Sequence, residues 1–388
     1  MVSPLYLGIF NRMTAAAPTH DAPLDTTHDY RRLLLDEVPM LDVRAPIEFA
    51  AGALPHAENL PLMNDAERAQ VGTCYKQQGQ DAAIALGHRL VSGATRAARE
   101  AAWADFARRH PQGVLYCARG GLRSQTVQQW LASDAGVAMP RVAGGFRALR
   151  GFVLQTLHDV PTQGRWTLLG GWTGCGKTER LLTLPGGIDL EGLARHRGSS
   201  FGALPGGQPA QIDFEHRLGV ALLKAQAAGI CHFVLEDEGH HIGQREVPQP
   251  LRQRMATAPV VWLDEAFEDR VERLLRDYVI DLRAAFVRHA GDTDGPTRWG
   301  EQLQRSLDNI RKRLGGERHQ RLRAVLDEAL AEQARSGELA RHRDWIAALL
   351  REYYDPMYAY QRRQLAERVV CSGPWPEVRA FFEAAQAG

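Results

Sequence analysis

The sequence has no CxxC pair: its five cysteines (Cys74, Cys117, Cys175, Cys231, Cys371) are scattered along 388 residues. That spacing argues against a disulfide framework and a cysteine-ligated zinc site, and for a reducing, cytoplasmic setting with one reactive thiol at most. Also missing is any apolar run near the ~18 residues of a membrane-spanning helix. The opening MVSPLYLGIFNR has no charged leader and is too short for a secretory signal. No membrane association is expected, and Met13 is an alternative start. Nor is there an excess of one charge. Lys and Arg number 47 against 46 Asp and Glu, a net charge of +1, which excludes a globally basic nucleic-acid binder but leaves local patches open. Internal repeats and low-complexity tracts are absent.

What is present fits a folded chain of two or three domains, with 44% hydrophobic and 24% charged residues. Residues 1–35 are rich in Ala, Thr, Pro and Asp and are expected to be flexible. Over 36–155, short apolar runs (PMLDVR, GVLYC) alternate with helical patterns, among them one around 80–109, which predicts α/β structure with a parallel sheet. The turn-rich DVPTQGR at 159–165 marks a boundary. A second α/β unit is expected over 163–280, from WTLLGG, HFVLEDE and APVVWLDE, followed by a helical C-terminal region at 281–388.

GWTGCGKT at 171–178 satisfies GxxxxGK[ST] in full. Gly171, Gly174 and Gly176 let backbone N–H groups curl around a phosphate at the start of a helix. Lys177 reaches the terminal phosphate oxygens, and Thr178 is placed to hold Mg²⁺. The motif therefore predicts a diphosphate or polyphosphate ligand, without specifying nucleotide hydrolysis. Two strand ends offer the accompanying acid: Glu236-Asp237-Glu238 and Asp264-Glu265. The loop DLEGLARHRGSSFG that follows carries Asp189, Glu191, His196, Arg197, Gly198 and Ser199, which, with Glu236, are candidate substrate contacts. No metal site is expected of His240-His241, since adjacent residues rarely point at one ion.

YCARGGLRS at 116–124 is the second chemical loop. Cys117 ends a strand just before a helix, where N–H groups turn inward and the neighbouring Arg119 and Arg123 favour thiolate over thiol. A thiolate there is a competent nucleophile for sulfur, selenium or phosphoryl groups.

LDVRAPIEFAAGALPHAENLP, YCARGGLRS and VAGGFRALR resemble the opening, the thiol loop and the end of a rhodanese domain. The Cys117-to-Arg123 spacing is one residue longer than in common sulfurtransferases and equals that of cysteine phosphatases, which leaves room for a tetrahedral phosphate or selenophosphate. With VGTCYKQQGQDAAIALG (71–87), GWTGCGKTE, DLEGLARHRGSSFG, EDEGHHIG (236–243) and YYDPMYAYQ (353–361), the likeness covers residues 38–365. The chain resembles the tRNA 2-selenouridine synthase family, a rhodanese-like domain fused to a P-loop domain.

The resemblance implies a tRNA-modifying transferase acting on a wobble uridine. Selenophosphate and geranyl diphosphate would be its substrates, with no tightly bound cofactor, and a selenophosphate-producing enzyme would be a partner. Cys117, Arg119, Arg123 and Lys177 would be the catalytic residues. Basic residues in 305–323, above all Arg311, Lys312 and Arg313, would contact tRNA phosphates. Tyr353, Tyr354, Tyr358 and Tyr360 are candidate stacking surfaces for a base, or else packed on neighbouring helices. The loop length alone leaves open a cysteine phosphatase or sulfurtransferase with a nucleotide-binding regulatory domain. A non-catalytic tRNA-binding scaffold with two degenerate loops is a third reading, which the intact Cys117, Arg123, Lys177 and Thr178 oppose.

Overall fold

The apolar runs become strands in a computed structural model that describes residues 25–387. Two compact units result: residues 25–50 with 56–149, and residues 51–55 with 150–387. In the first, five strands pair in parallel: β1 (Thr26–Thr27), β2 (Met40–Asp42), β3 (Ala57–Asn59), β4 (Val114–Tyr116) and β5 (Arg141–Val142), in the order β1-β5-β4-β2-β3. Strands β2 and β4 are wholly buried, as expected of parallel strands covered on both faces. Leu41, Leu115, Trp103, Phe106, Val127 and Leu131 lead this core.

Three features of this unit differ from the sequence reading. Order begins before residue 36: β1 pairs with β5, and Asp29 caps the helix Tyr30–Leu35, whose Leu33 and Leu34 are buried. Residues 1–24 of the expected flexible segment lie outside the described residues. A helix spans Asp65–Gln78, nucleated by a capping box in which Asn64 and Glu67 satisfy each other's backbone N–H. The helical stretch read at 80–109 is two helices, Gln80–Leu90 and Gly93–Arg109, because the chain turns at Val91-Ser92.

The second unit carries another parallel sheet, from β6 (Arg165–Gly171), β7 (Gly187–Ile188), β8 (His232–Glu236), β11 (Val260–Leu263) and β12 (Val369–Gly373), in the order β12-β11-β6-β8-β7. A small antiparallel pair, β9 (His241–Ile242) and β10 (Arg245–Glu246), lies beside it in sequence. The unit starts at Arg150, ahead of the turn at 159–165, because Val153 and Leu157 of the helix Gly145–Asp159 are buried and approach Gly219 closely. Arg150 also pairs with Glu215 at 2.6 Å.

Residues 281–388 are not a purely helical addition. Strand β12 pairs with β11, Leu263 opposite Gly373, so the chain returns to complete the sheet that carries the phosphate loop. The helices between them share a core that includes Trp299, Leu303, Leu326, Trp345 and Leu350. Two π-helical stretches, Leu275–Asp281 and Leu350–Tyr354, interrupt these helices, a distortion found often at functional sites.

Candidate functional site

Strand β6 ends at Gly171, and the loop that follows turns through Gly174 and Gly176, both at φ 80°, into the helix Lys177–Leu181. Side chains there would strike the backbone of Arg270 and the guanidinium of Arg273, so the loop needs glycine on both grounds. Lys177 Nζ donates to Gly171 O at 3.1 Å and lies 5.6 Å from the centre of the Tyr358 ring. Thr178 Oγ1 donates to Glu236 Oε1 at 2.5 Å and lies 3.4 Å from Glu191 Oε2. Of the two candidate acids, then, Glu236 at the end of β8 meets the threonine. Asp264 instead accepts from Trp172 Nε1 at 2.9 Å.

A cleft of about 480 Å³ opens over this loop, lined also by residues of 189–199. Glu191 and Glu238 close around Gly198, within contact distance of where its side chain would start. Burial, then repulsion from neighbouring carboxylates, raises the carboxyls of Glu191 and Glu236, and burial likewise raises Glu238. Burial works against a charged Lys177, but Cys175, Tyr358, Glu238 and Glu191 outweigh it and keep the ammonium.

The remaining candidates of that loop are positioned differently. Asp189 caps the helix Leu190–Ala194 by accepting from Gly192 N at 2.7 Å. Arg197 pairs with Asp277 at 3.4 Å, and Ser199 Oγ lies 2.8 Å from Tyr278 OH, which ties the loop to the π-helical stretch 275–281. His196 keeps a buried Nδ1 without a hydrogen-bond partner, and burial lowers its pKa.

Sequence reasoning overlooked the arginines on the far side of the loop. Arg270 Nε donates to Thr173 O at 2.9 Å, Arg273 Nη1 to Gly174 O at 2.8 Å, and Arg276 pairs with Glu179. The signal was available, since 270, 273 and 276 repeat every three residues and so share one helix face. Among the described residues, no three His, Cys, Asp or Glu side chains are grouped to hold a metal ion.

The thiol loop lies in the first unit. Cys117 follows β4 and is buried, with Sγ 3.2 Å from Ser124 Oγ and 3.9 Å from Gly121 O. The helix begins at Leu122, two residues ahead of Ser124. Arg123 and Arg119 part company. Arg123 is held by Glu48 at 2.6 Å, and burial's pull on its charge is opposed by Glu48 and Cys117. Arg119 is exposed on the loop. Below, the Asp-Val-Arg strand end forms a buried ion pair, Arg44 Nη2 to Asp42 Oδ2 at 2.6 Å, with the guanidinium 3.8 Å over the Phe146 ring. Phe146 N and Arg147 N in turn donate to Cys117 O and Ala118 O at 2.9 and 3.0 Å. The GGFR turn thus fixes the thiol loop from behind.

The basic stretch 305–323 is largely neutralised: Arg323 bonds Asp308 and Asp327, and Arg318 and Arg321 share Glu352. Arg311, Lys312 and Arg313, on the short helix Arg311–Leu314, are exposed and have no ion pair among the described residues. Tyr353 and Tyr354 are buried in the helical core, Tyr358 lines the phosphate-loop cleft, and Tyr360 is exposed. Cys231 is exposed.

Residues 164–387 match the family model described as the tRNA 2-selenouridine synthase AAA domain. The chain is 59% identical over 356 residues to a protein of Bordetella petrii, covering 92% of this chain and 95% of that one. It is 58% identical to one of Pseudomonas putida (92% and 96% covered) and 57% identical to one of Azotobacter vinelandii (93% and 98% covered). All three relatives are named tRNA 2-selenouridine synthase. With that identity over nearly its whole length, the chain belongs to the tRNA 2-selenouridine synthase family.

Proposed function

We propose that this chain replaces the sulfur of a wobble 2-thiouridine in tRNA by selenium, in two steps that use its two loops separately. The observation that carries this reading is the coexistence, in a chain related over 92% of its length to those synthases, of an intact phosphate cradle and a distinct thiol loop.

In the first step the thiouridine sulfur attacks C1 of geranyl diphosphate. The carbon–oxygen bond breaks, diphosphate departs and the base loses its N3 proton. The residues of 171–178 bind the diphosphate, and Lys177, held cationic by its surroundings, offsets the charge that develops on it. Thr178 and Glu236, whose Oε2 is buried without a partner, fit a Mg²⁺ ion, which would supply further positive charge there; such ions commonly use one or two protein oxygens beside substrate phosphates. Exposed Arg311, Lys312 and Arg313 track tRNA phosphates, so binding weakens as salt rises.

In the second step selenium of selenophosphate bonds to C2 of the base, geranyl thiolate leaves, and water takes the phosphoryl group as inorganic phosphate. Cys117 and Arg119 receive the selenophosphate anion, while Arg123, braced on Glu48, shapes the loop. Selenophosphate comes from a separate enzyme that acts on selenide.

Two measurements test the scheme. Nucleoside mass spectrometry of tRNA from cells lacking the gene is expected to show no 2-selenouridine and accumulated 2-thiouridine. In the purified protein, Lys177→Ala is expected to abolish geranylation. Cys117→Ser is expected to block selenation and leave geranylated tRNA behind. With pre-geranylated RNA supplied for the selenation assay, loss of both activities in either variant refutes the division of labour, and phosphate release from an aryl phosphate that depends on Cys117 favours a phosphatase instead.

A further inference from the structure

The first unit contains a cleft that neither loop's chemistry accounts for. Its volume is about 1120 Å³, and it is lined by the helices Asp65–Gln78 and Gln80–Leu90 together with the loop and helix that follow Cys117. Leu62, Val71, Ala83, Ile84, Val91 and Trp130 contribute apolar walls. Tyr75 and Leu122, which also line it, are 58% and 49% exposed, large apolar side chains left in water. Among the described residues, no carboxylate lines the cleft, whereas Arg68, Lys76, Arg119 and Arg123 do. Arg68 and Arg123 both lean on Glu48, at 3.3 and 2.6 Å. Lys76 and Arg119 have no ion pair among the described residues.

Apolar walls beneath an uncompensated cationic rim select a ligand in which a hydrocarbon chain is joined to a polyanion. A bare anion would leave the walls hydrated, and a neutral lipid would leave Lys76 and Arg119 unmatched. Arg119 and residues 121–123, which follow Cys117 in the thiol loop, form one wall, so a ligand seated here lies against that loop. We propose that this cleft receives the geranyl chain of S-geranyl-2-thiouridine in tRNA, with a backbone phosphate at Lys76 and Arg119 left to the selenophosphate anion. This inference rests on the two-step reading above and adds the place where the intermediate is recognised. The cleft thereby discriminates the geranylated base from the unmodified one before selenium is delivered.

The test uses the full chain and a labelled anticodon stem-loop RNA carrying either S-geranyl- or S-methyl-2-thiouridine, with affinity read by fluorescence anisotropy. Wild-type protein is expected to bind the geranyl RNA at least about tenfold more tightly. Ile84→Gln and Val71→Gln, neutral substitutions at partly exposed positions of the wall, are expected to erase that preference, read as the ratio of the two affinities. Leu204→Glu, in the other unit's cleft, and Lys177→Ala are expected to retain it. Absence of a preference in wild type, its survival in both wall variants, or its loss with Leu204→Glu overturns the proposal. Photocrosslinking of wild type with a diazirine-bearing geranyl RNA needs no variant: adducts within 62–130 are expected, and adducts confined to 170–280 overturn it. Because the RNA is supplied already geranylated, failure of the chain to make that intermediate refutes the two-step reading without touching this result.

Discussion

Gly145 stands directly behind the thiol loop, at φ 57°, where a Cβ would collide with Cys117 O and Gly120 N. An alanine is strained there twice over, by its backbone conformation and by lack of space. Gly145→Ala is therefore expected to displace the Cys117 loop, lowering selenation at least about tenfold while geranylation at Lys177 persists, with a stability loss of about 1–2 kcal/mol. Both activities falling in parallel would contradict a local effect. The pair Asp42–Arg44 acts at the same scale. It is buried yet satisfied by three side-chain hydrogen bonds, by Arg44 N and by the Phe146 face, which makes it a rigid support for the loop.

Among the elements, the helix Asp65–Gln78 depends most on a single junction. It buries only Cys74, so its own hydrophobic contribution is small and the capping box at Asn64 matters more. Asn64→Ala is expected to lower stability by about 1 kcal/mol, read as a shift of the denaturation midpoint. The same helix was hard to see in the sequence because AERAQVGTCYKQQ lacks a regular apolar stripe. The amphipathic runs around Ile84 and after Phe267 were legible for the opposite reason. GWTGCGKT and YCARGGLRS were readable because their chemistry lies in contiguous residues. The arginines of 270–276 reach the phosphate loop only through tertiary folding, so local spacing hinted at them without assigning a target. Strand β12 escaped notice because VVCSG is short and lies among helical stretches; its pairing with β11 is a long-range choice that propensity does not encode.

Across the second unit, stability is tied to two buried neutral histidines. His216 Nδ1 lies 2.6 Å from Ala53 O, and its Nε2 is 3.3 Å from Arg150; His342 accepts from Trp345 Nε1 at 2.9 Å and faces Gln333 through Nε2. Burial drives both to a pKa of about 4 from the ordinary 6.5. Above pH 6.5 neither the folded nor the unfolded chain protonates them, and their contribution is intact. Between pH 6.5 and 4 only the unfolded chain takes up these protons, so stability falls by up to roughly 3 kcal/mol per histidine. Denaturant midpoints measured across that window are expected to drop, and His216→Gln with His342→Gln to flatten the drop. An unchanged slope in the double variant would rule out this origin of acid sensitivity.

The return of β12 to β11 also has a consequence in time. The ribosome makes β11 about a hundred residues before its edge partner, so the nascent phosphate-loop sheet waits with an open row of amide and carbonyl groups on an apolar strand. The helices between them, which gather their own core from Phe267 onward, are synthesised in that interval. Local helix packing can proceed while the edge is still bare, yet the sheet closes only with residues 369–373. A chain cut short before them would keep a mature phosphate loop in sequence and an exposed strand beside it, a species fated to aggregate rather than to linger as an inactive monomer.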